Sequence, residues 1–225
     1  VSLLSEQDRQ VVRGHLAAIQ HPVSLLLFTQ TIGAPETALL ARQVLHEVAG
    51  LNDLVSLEEV NFVLDHDRAS QYGIDRIPAV VVLAKGEDTG MRFLGAPAGY
   101  EFMSLVEAVI LAGTTDSGLS PDSRALIASH VTAPLEINVF VTPTCPHCPR
   151  AVTLAHRMAR ESPFIRATCV EATEFMDLSR QFRVTGVPKT VVNGSIEILG
   201  ALPEDAFVRE VLGMPEAVAS DKGQA

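Results

Sequence analysis

The sequence predicts an α/β protein built from two similar units in tandem, each with the element order β-α-β-α-β-β-α after a preceding helix, around mixed central sheets. Three observations favour this fold class. The chain has 225 residues, of which 47% are hydrophobic, so it can bury a sizeable core. Short apolar runs typical of buried strands alternate with segments of helical period. Two segments of the first half also recur in the second half.

The recurring segments define the repeat. Residues 71–78 (QYGIDRIP) match residues 181–188 (QFRVTGVP) at an offset of 110. Residues 93–96 (FLGA) match residues 198–201 (ILGA) at an offset of 105. Residues 114–121 are rich in turn-forming side chains and are the best candidate for a linker between the units.

In the first unit, expected at residues 1–115, Ser5 is a suitable N-cap because acidic side chains follow it in the first helical turn. Gly50 is expected to end the second helix. The predicted elements, in order, are a helix at 5–19, a strand at 23–28, a helix at 36–49, a strand at 55–63, a short helix at 67–72, strands at 79–83 and 90–94, and a helix at 99–111.

In the second unit, expected at residues 116–213, the same order repeats. The dipeptide Asn193-Gly194 between two apolar runs indicates a hairpin with a type I′ turn. The predicted elements are a helix at 121–131, a strand at 137–141, a helix at 146–161, a strand at 165–171, a short helix at 174–182, hairpin strands at 190–192 and 196–199, and a helix at 204–212. Residues 214–225 are expected to form a flexible tail.

Two cysteines, Cys145 and Cys148, follow an apolar run of strand type and precede a segment of helical period. This order places Cys145 in the first turn of a helix, with Pro146 just inside the start, where its missing N–H costs nothing. The free N–H groups and the positive end of the helix dipole favour a thiolate there. A thiolate is the nucleophile of disulfide exchange, and Cys148 can then attack a mixed disulfide on Cys145. The spacing suits two-thiol redox chemistry.

Two other interpretations of the Cys-x-x-Cys motif stay open at this point. A zinc site needs a second pair of ligands, but Cys169 lies in an apolar run, and His147 and His156 are at no familiar zinc spacing. No metal is therefore expected. A purely structural disulfide is disfavoured, because a bridge that closes so short a loop constrains the unfolded chain little. Cys169 itself is interpreted as a small buried hydrophobic residue.

Charge and hydropathy argue against several classes of function. The formal net charge is −10, which argues against nucleic acid or an anionic membrane surface as a partner. No apolar run reaches membrane-spanning length, and residues 1–20 are typical of an amphipathic helix, not of a signal peptide. Three cysteines do not make a disulfide framework. A cytoplasmic protein without nucleic-acid or membrane partners is expected.

The order of a strand, a Cys-x-x-Cys motif that opens a helix, an apolar residue before proline, a hairpin and a final helix resembles the thioredoxin fold. Two such units resemble the protein disulfide oxidoreductases, also called glutaredoxin-like proteins. They equally resemble the N-terminal domain of the flavoprotein subunit of alkyl hydroperoxide reductase. The specific segments are residues 142–149 (TPTCPHCP), 187–189 (VPK) and 94–102 (LGAPAGYEF). Ala34 and Thr37 stand where the first unit would carry its cysteines, which places the chain nearer the reductase domain and implies a redox-inactive first unit.

The resemblance implies roles for the site residues. Cys145 would be the exposed attacking cysteine and Cys148 the resolving one, so the disulfide between them would be the redox group and no bound cofactor is expected. Val187-Pro188 would be a cis peptide beside the sulfur atoms, offering Val187 backbone groups to an incoming substrate strand. The matching peptide of the first unit, Ile77-Pro78, is expected to be cis as well.

The residues between the cysteines, Pro146 and His147, are expected to contact substrate too. A donor or partial positive charge at His147 would stabilise the reduced thiolate and raise the reduction potential. The resemblance supports this role, since the same Cys-Pro-His-Cys string occurs in strongly oxidising disulfide-forming proteins. A solvent-facing histidine with little effect is the alternative.

The resemblance also concerns the base that deprotonates Cys148. Thioredoxins carry a buried aspartate six residues before the first cysteine, and this chain has Val139 there. In the reductase-like relatives a glutamate of the first unit faces the dithiol, and it corresponds to Glu101. Glu171 is the second candidate. A carboxyl buried against apolar walls has a raised pKa and can relay a proton near neutral pH.

The favoured function is a thiol–disulfide oxidoreductase that passes electrons from a flavin-dependent disulfide reductase to protein disulfides, such as that of a peroxiredoxin, through a mixed disulfide. A disulfide-forming or isomerising catalyst is the alternative, suggested by His147. A redox-silent binding scaffold is the third hypothesis, and the retained pair of Cys145 and Cys148 argues against it.

Overall fold

The structure is a computed structural model that describes residues 3–214. In the first half, Ser5 caps the first helix as predicted and accepts a hydrogen bond from the Asp8 N–H at 3.1 Å. Gly50 follows the last residue of the second helix, also as predicted. The elements are α1 (Glu6–Leu16), β1 (Val23–Thr29), α2 (Thr37–Ala49), β2 (Val55–Asn61), α3 (His66–Gln71), β3 (Ala79–Ala84), β4 (Glu87–Leu94) and α4 (Glu101–Gly113).

The second half repeats this order after its own preceding helix. Its elements are α5 (Pro121–His130), β5 (Leu135–Val141), α6 (Cys148–Glu161), β6 (Ile165–Glu171), α7 (Met176–Gln181), β7 (Lys189–Val192), β8 (Ile196–Leu199) and α8 (Glu204–Val211). The predicted α/β class and the two similar units are therefore confirmed. Residue 214 is the last described position, so the tail predicted from there on lies almost wholly outside the described residues.

One feature differs from the predicted pair of sheets, because all eight strands form a single sheet. Its strand order is β2-β1-β3-β4-β6-β5-β7-β8. The two halves meet where β4 pairs in parallel with β6, in a register that runs from Met91 opposite Ala167 to Leu94 opposite Val170. The hydrogen bonds of this ladder make the two units one continuous layer.

The strand directions bring several loops to one edge of this sheet. Strands β1, β2, β4, β5 and β6 run in the same direction, while β3 and β7 run the opposite way. The carboxyl ends of β4, β6 and β5 and the amino end of β7 are therefore neighbours at this edge. Residues that follow β4 in the first unit can contact residues that follow β5 in the second.

The sheet separates a large core from two smaller ones. The large core is continuous across both units and takes side chains from the strands and from α1, α2, α4, α5, α6 and α8. It also contains Cys145, Cys148 and Cys169. On the opposite face, α3 packs against β1 and β3, and α7 packs against β5 and β7.

Among residues 3–214, no helix combines the length and apolar character needed to cross a membrane.

Two predicted boundaries were wrong in instructive ways. The helix expected from residue 146 begins at Cys148, and Pro149 occupies its first turn in the place predicted for Pro146. Either proline suits a helix start, so the local pattern could not choose between them. Strand β4 begins at Glu87 instead of residue 90, because the turn contains only Lys85 and Gly86, both with positive φ.

The predicted hairpin turn and linker are both present. Asn193 and Gly194 have positive φ values of 48° and 69°, as a type I′ turn requires, and the Ser195 N–H donates to the Val192 carbonyl at 3.0 Å. Residues 114–120 connect α4 to α5 but pack against the second unit. There, the buried Ser117 hydroxyl donates to Glu161 at 2.5 Å.

The junction between the units depends on a glycine that no other residue can replace without strain. Gly90 has φ +77°, and a Cβ there would lie 2.3 Å from the Ile165 carbonyl oxygen of the second unit. Gly86 in the same hairpin also has positive φ, +83°, but its added Cβ would meet nothing within 4 Å. A side chain at positive φ has a conformational cost at both positions, but a steric cost only at Gly90. Substitutions at Gly86 and Gly90 therefore distinguish the two costs.

We predict that Gly86→Ala lowers the free energy of unfolding by about 1 kcal/mol, whereas Gly90→Ala lowers it by about 3 kcal/mol or more because the steric clash is added. Urea unfolding followed by circular dichroism measures both values. Equal losses for the two variants would contradict the close approach of Gly90 to Ile165.

Candidate active site

The predicted site residues meet at the edge of the sheet where β4, β6, β5 and β7 are neighbours. The loop after β5 carries Cys145, and α6 opens at Cys148. The peptide Val187-Pro188 directly precedes β7. The segment after β4 leads to Glu101, the first residue of α4. The site therefore takes residues from both units.

Cys145 and Cys148 form a disulfide, with a Cα–Cα distance of 5.5 Å. Cys145 is 8% exposed and Cys148 is completely buried, so an incoming partner reaches Cys145 first. Cys145 lies before the N-terminus of α6, at the end with unpaired N–H groups and the positive dipole, which favours a thiolate in the reduced protein. Cys145 is thus nearly buried, not exposed as the resemblance implies, and the roles of attacking and resolving cysteine stay predictions.

The peptide Val187-Pro188 is cis, as predicted, and so is Ile77-Pro78 in the first unit. The Val187 carbonyl oxygen lies 3.8 Å from the Cys145 Sγ atom. An extended substrate segment beside Cys145 would therefore meet the Val187 backbone.

Pro146 and His147 are both exposed in the turn between the cysteines. His147 occupies the N-cap position of α6, but its side chain makes no capping hydrogen bond. The side chain is thus free to face a partner or solvent, and its effect on the reduction potential stays a prediction.

Glu101 is a buried carboxyl with incomplete hydrogen bonding. It is 2% exposed. Its Oε2 atom accepts a hydrogen bond from the Ser104 hydroxyl at 2.6 Å and one from the Cys169 thiol at 3.6 Å. Its Oε1 atom has no hydrogen-bond partner among the described residues. Burial raises the pKa of Glu101 to about 7, against the lowering effect of the bonds from Ser104 and Cys169.

The backbone just before Glu101 is fixed to the loop that carries the disulfide. The Tyr100 N–H donates to the Pro143 carbonyl oxygen at 2.9 Å. At Gly99, with φ +62°, an added Cβ would lie 2.2 Å from that same oxygen. Helix α4 also packs along α6, which begins at Cys148. These contacts hold the start of α4 against the redox loop.

Glu171, the second candidate base, has a different role in the structure. It is buried, but both of its carboxylate oxygens accept hydrogen bonds from the loop that follows β6. The Glu174 N–H donates to Oε2 at 2.6 Å, and the Thr173 N–H donates to Oε1 at 3.2 Å. Its acceptors are engaged in holding this loop, whereas Glu101 has one oxygen without a hydrogen-bond partner among the described residues, as Glu174 of that loop also has.

Sequence reasoning missed two contacts between the units. The Glu174 carboxylate accepts a hydrogen bond from the Ala96 N–H at 2.8 Å, which ties the loop after β6 to the first unit. The Cys169 thiol bonds to Glu101, although Cys169 was interpreted only as a core residue. Neither contact has a local sequence signal, because each joins residues more than 65 positions apart.

Among residues 3–214, no group of three or more His, Cys, Asp or Glu side chains could hold a metal ion.

Burial of Glu101 makes stability depend on pH. The folded-state pKa of about 7 lies above the ordinary value of 4.5. The folded state therefore binds the proton more tightly than the unfolded state. The resulting contribution to the free energy of unfolding is complete below pH 4.5 and is lost as the pH rises through 7. We predict that the free energy of unfolding falls by about 2–3 kcal/mol between pH 5 and 8 through this residue.

Glu101→Gln should remove this fall, because the amide carries no charge at any pH. Urea unfolding of the oxidised protein at pH 5 and pH 8 measures it, with Glu107→Gln on the same helix as the matched control. The same pH dependence in Glu101→Gln and in the unsubstituted protein would contradict a buried, titrating Glu101.

Known proteins resemble this chain over nearly its whole length. The thioredoxin domain family matches residues 135–213. The alkyl hydroperoxide reductase protein AhpF of Escherichia coli is 26% identical over 194 residues, which are 85% of this chain and 34% of that protein. The chain thus spans about a third of the length of the curated relatives it matches.

Two solved structures have the same tandem architecture. A protein disulfide oxidoreductase from Aeropyrum pernix superposes with a TM-score of 0.86 at 30% sequence identity, covering 94% of each chain. A structure of the alkylhydroperoxide reductase protein AhpF of Enterococcus faecalis superposes with a TM-score of 0.85 at 30% identity, covering 92% of this chain and 99% of that one.

Proposed function

The chain belongs to the family of tandem thioredoxin-fold protein disulfide oxidoreductases, and we propose that it passes electrons from a flavin-dependent disulfide reductase to disulfides of proteins such as a peroxiredoxin. The observation that carries this proposal is the Cys145–Cys148 pair. Cys145, the less buried of the two, has its Sγ atom beside the Val187 carbonyl oxygen, and α4, which opens with the buried Glu101, packs against α6.

The reaction proceeds through a mixed disulfide. In the reduced protein, the Cys145 thiolate attacks one sulfur of the partner's disulfide, and the other partner sulfur leaves as a thiolate. Cys148 gives its thiol proton to Glu101, and its sulfur attacks the Cys145 Sγ atom. The Cys145–Cys148 disulfide forms while the first partner sulfur leaves. The partner gains two electrons and takes up two protons, one from Glu101 and one from solvent.

Two features support Glu101 as the proton acceptor for Cys148. A carboxyl whose pKa is about 7 is part ionised at neutral pH, so it can both accept and return a proton. Its Oε1 atom has no protein partner among the described residues and is open to a donor. We also propose that the first unit, residues 1–115, has no redox step of its own and serves to supply this residue to the second unit, residues 116–213.

The partners are proposed from the relatives. The similarity to the alkyl hydroperoxide reductase protein AhpF supports a flavin-dependent reductase as electron donor and a peroxiredoxin as acceptor. The formal net charge of −10 disfavours nucleic acid and anionic membrane surfaces. A cytoplasmic location belongs to the same proposal, since thiols are kept reduced in that compartment.

The second candidate is a disulfide-forming or isomerising catalyst, and the exposed His147 between the cysteines favours it. The reduction potential separates the two, because a more stable reduced form makes a stronger oxidant. It is measured by alkylation and mass spectrometry of Cys145 and Cys148 across a thiol redox buffer.

We predict a potential of about −270 mV, the level of thioredoxin. A potential of about −120 to −180 mV would favour disulfide formation or isomerisation instead. Absence of any reversible disulfide would overturn both redox functions and leave the binding scaffold.

A further prediction concerns the role of Glu101 in turnover. Reduced protein mixed with a symmetric aromatic disulfide should release the coloured thiolate in two phases, first by attack of Cys145 and then by attack of Cys148. Glu101→Gln should slow the second phase about 100-fold at pH 7 and leave the first unchanged. Glu107→Gln on the same helix serves as the control. An unchanged second phase between pH 6 and 8 would remove Glu101 from the mechanism.

A further inference from the structure

We propose that Cys169 is a positioning residue for the proposed reaction: its thiol holds the Glu101 carboxylate across the junction between the units and so tunes the proton exchange of that carboxyl with Cys148. The proposal rests on the proposed function, in which Glu101 accepts the Cys148 proton. It assigns a chemical role to the one cysteine that takes no part in disulfide exchange.

The position of Cys169 explains how it reaches Glu101. It lies on β6 with Phe93 of β4 opposite it on one side and Val139 of β5 on the other. Val139 stands where thioredoxins carry their buried acid. The carboxyl of this chain instead approaches from the first unit, and its Oε2 atom lies 3.6 Å from the Cys169 Sγ atom. Cys169 is therefore the residue of β6 that contacts Glu101, the acid that the first unit contributes.

Cys169 acts as a hydrogen-bond donor and not as a third redox cysteine. It is 3% exposed, which keeps disulfide partners away from it. Burial raises the pKa of its thiol well above the ordinary value, and the neighbouring Glu101 carboxylate raises it further. The thiol therefore keeps its proton at neutral pH and can donate it to Glu101.

Glu101 has few other groups that could set its charge. On its own helix only Ser104 bonds to it. On β6 the titratable groups are Arg166, which pairs with Glu136, and the buried Cys169 and Glu171. The Glu171 oxygens are engaged with their own loop. On α6 the buried titratable groups are Cys148 and His156, whereas Arg150, Arg157, Arg160 and Glu161 are exposed or partly exposed.

The remaining charged groups near the junction do not act on Glu101. Complete burial lowers the pKa of His156 to about 4, so this ring is neutral at the pH of the reaction. Arg92 of β4 bonds to Asp88 and to the Tyr72 carbonyl, on the side of the sheet where α3 packs. The Cys169 bond is therefore one of only two hydrogen bonds from described residues that stabilise the ionised Glu101, the other coming from Ser104.

The test compares three side chains at position 169 that differ in what they donate. Cys169→Ala removes the donor, and Cys169→Ser keeps one in nearly the same volume as alanine. Glu101 is titrated directly by carbon-13 NMR of the side-chain carboxyl in the oxidised protein, where neither site cysteine ionises. The Glu101→Gln variant identifies its signal.

We expect the midpoint of the Glu101 titration to rise by about half a pH unit to one unit in Cys169→Ala and to fall below the native value in Cys169→Ser. Val139→Ala is the matched control. It opens space against the same part of the core but removes no donor, so its midpoint should stay near the native value.

An unmoved midpoint in Cys169→Ala, or the same rise in Cys169→Ser, would overturn the proposal. If the alanine variant does not fold, the serine variant decides, because a hydroxyl is a stronger donor than a thiol and should shift the midpoint downward. An unmoved midpoint in that case counts against the proposal.

The kinetics distinguish this proposal from the proposed function. If Glu101 is the base, the pH profile of the second phase of thiolate release should move with the NMR midpoint in each variant. A midpoint that moves while the kinetic profile stays fixed would support the Cys169 contact and reject Glu101 as the base. In the Glu101→Gln background, substitution of Cys169 should leave the kinetic profile unchanged, and a further shift there would overturn the positioning role.

Discussion

The parallel pairing of β4 with β6 joins the two units into one sheet, and the position of every residue at the site depends on it. Each unit alone would form a small sheet with an unpaired edge strand, which proteins generally cover or pair. Here the edge strands of the two units, β4 and β6, pair with each other. Because both strands run in the same direction, the segment that follows β4 and the loop that follows β6 emerge at the same edge as the redox disulfide after β5. Gly90 permits the close approach at one end of this ladder, and the Glu174 contact with Ala96 closes the other.

The two buried glutamates of this edge show how environment decides the role of a carboxyl. Glu171 accepts hydrogen bonds from main-chain and hydroxyl donors on both oxygens, so burial costs it little and it holds a loop. Glu101 is buried as deeply but accepts bonds on one oxygen only. The unsatisfied oxygen lowers stability above neutral pH, and it is also what suits the residue to accept a proton.

The first unit has the same element order as the second but contains no cysteine. Helix α2 begins at Thr37 just as α6 begins at Cys148, and the cis peptide before β3 corresponds to the one before β7. Its loop before α2 contributes no thiol, and Ile32 in that loop is 89% exposed. The contribution of the first unit to the site instead comes from the opposite end of the repeat, the segment between β4 and α4. A unit without cysteines thus contributes contacts to the loop that carries the disulfide.

The elements, the repeat and the redox pair follow from local patterns in the chain. Strand and helix periodicity, N-caps such as Ser5 and the Asn193-Gly194 turn act over a few residues, so their patterns can be read directly from the chain. The Cys145–Cys148 motif is equally local. The start of α6 was uncertain by two residues because Pro146 and Pro149 both suit a helix start.

Three outcomes follow only from tertiary contacts: the strands form one sheet and not two, Glu101 and not Glu171 has an oxygen without a described partner, and Cys169 bonds to Glu101. These outcomes depend on β4 finding β6, a pairing between strands about 75 residues apart that no local pattern encodes. Burial of Cys169 was predictable from its apolar strand. Its contact with Glu101 was not, since that contact exists only once the two units share a sheet.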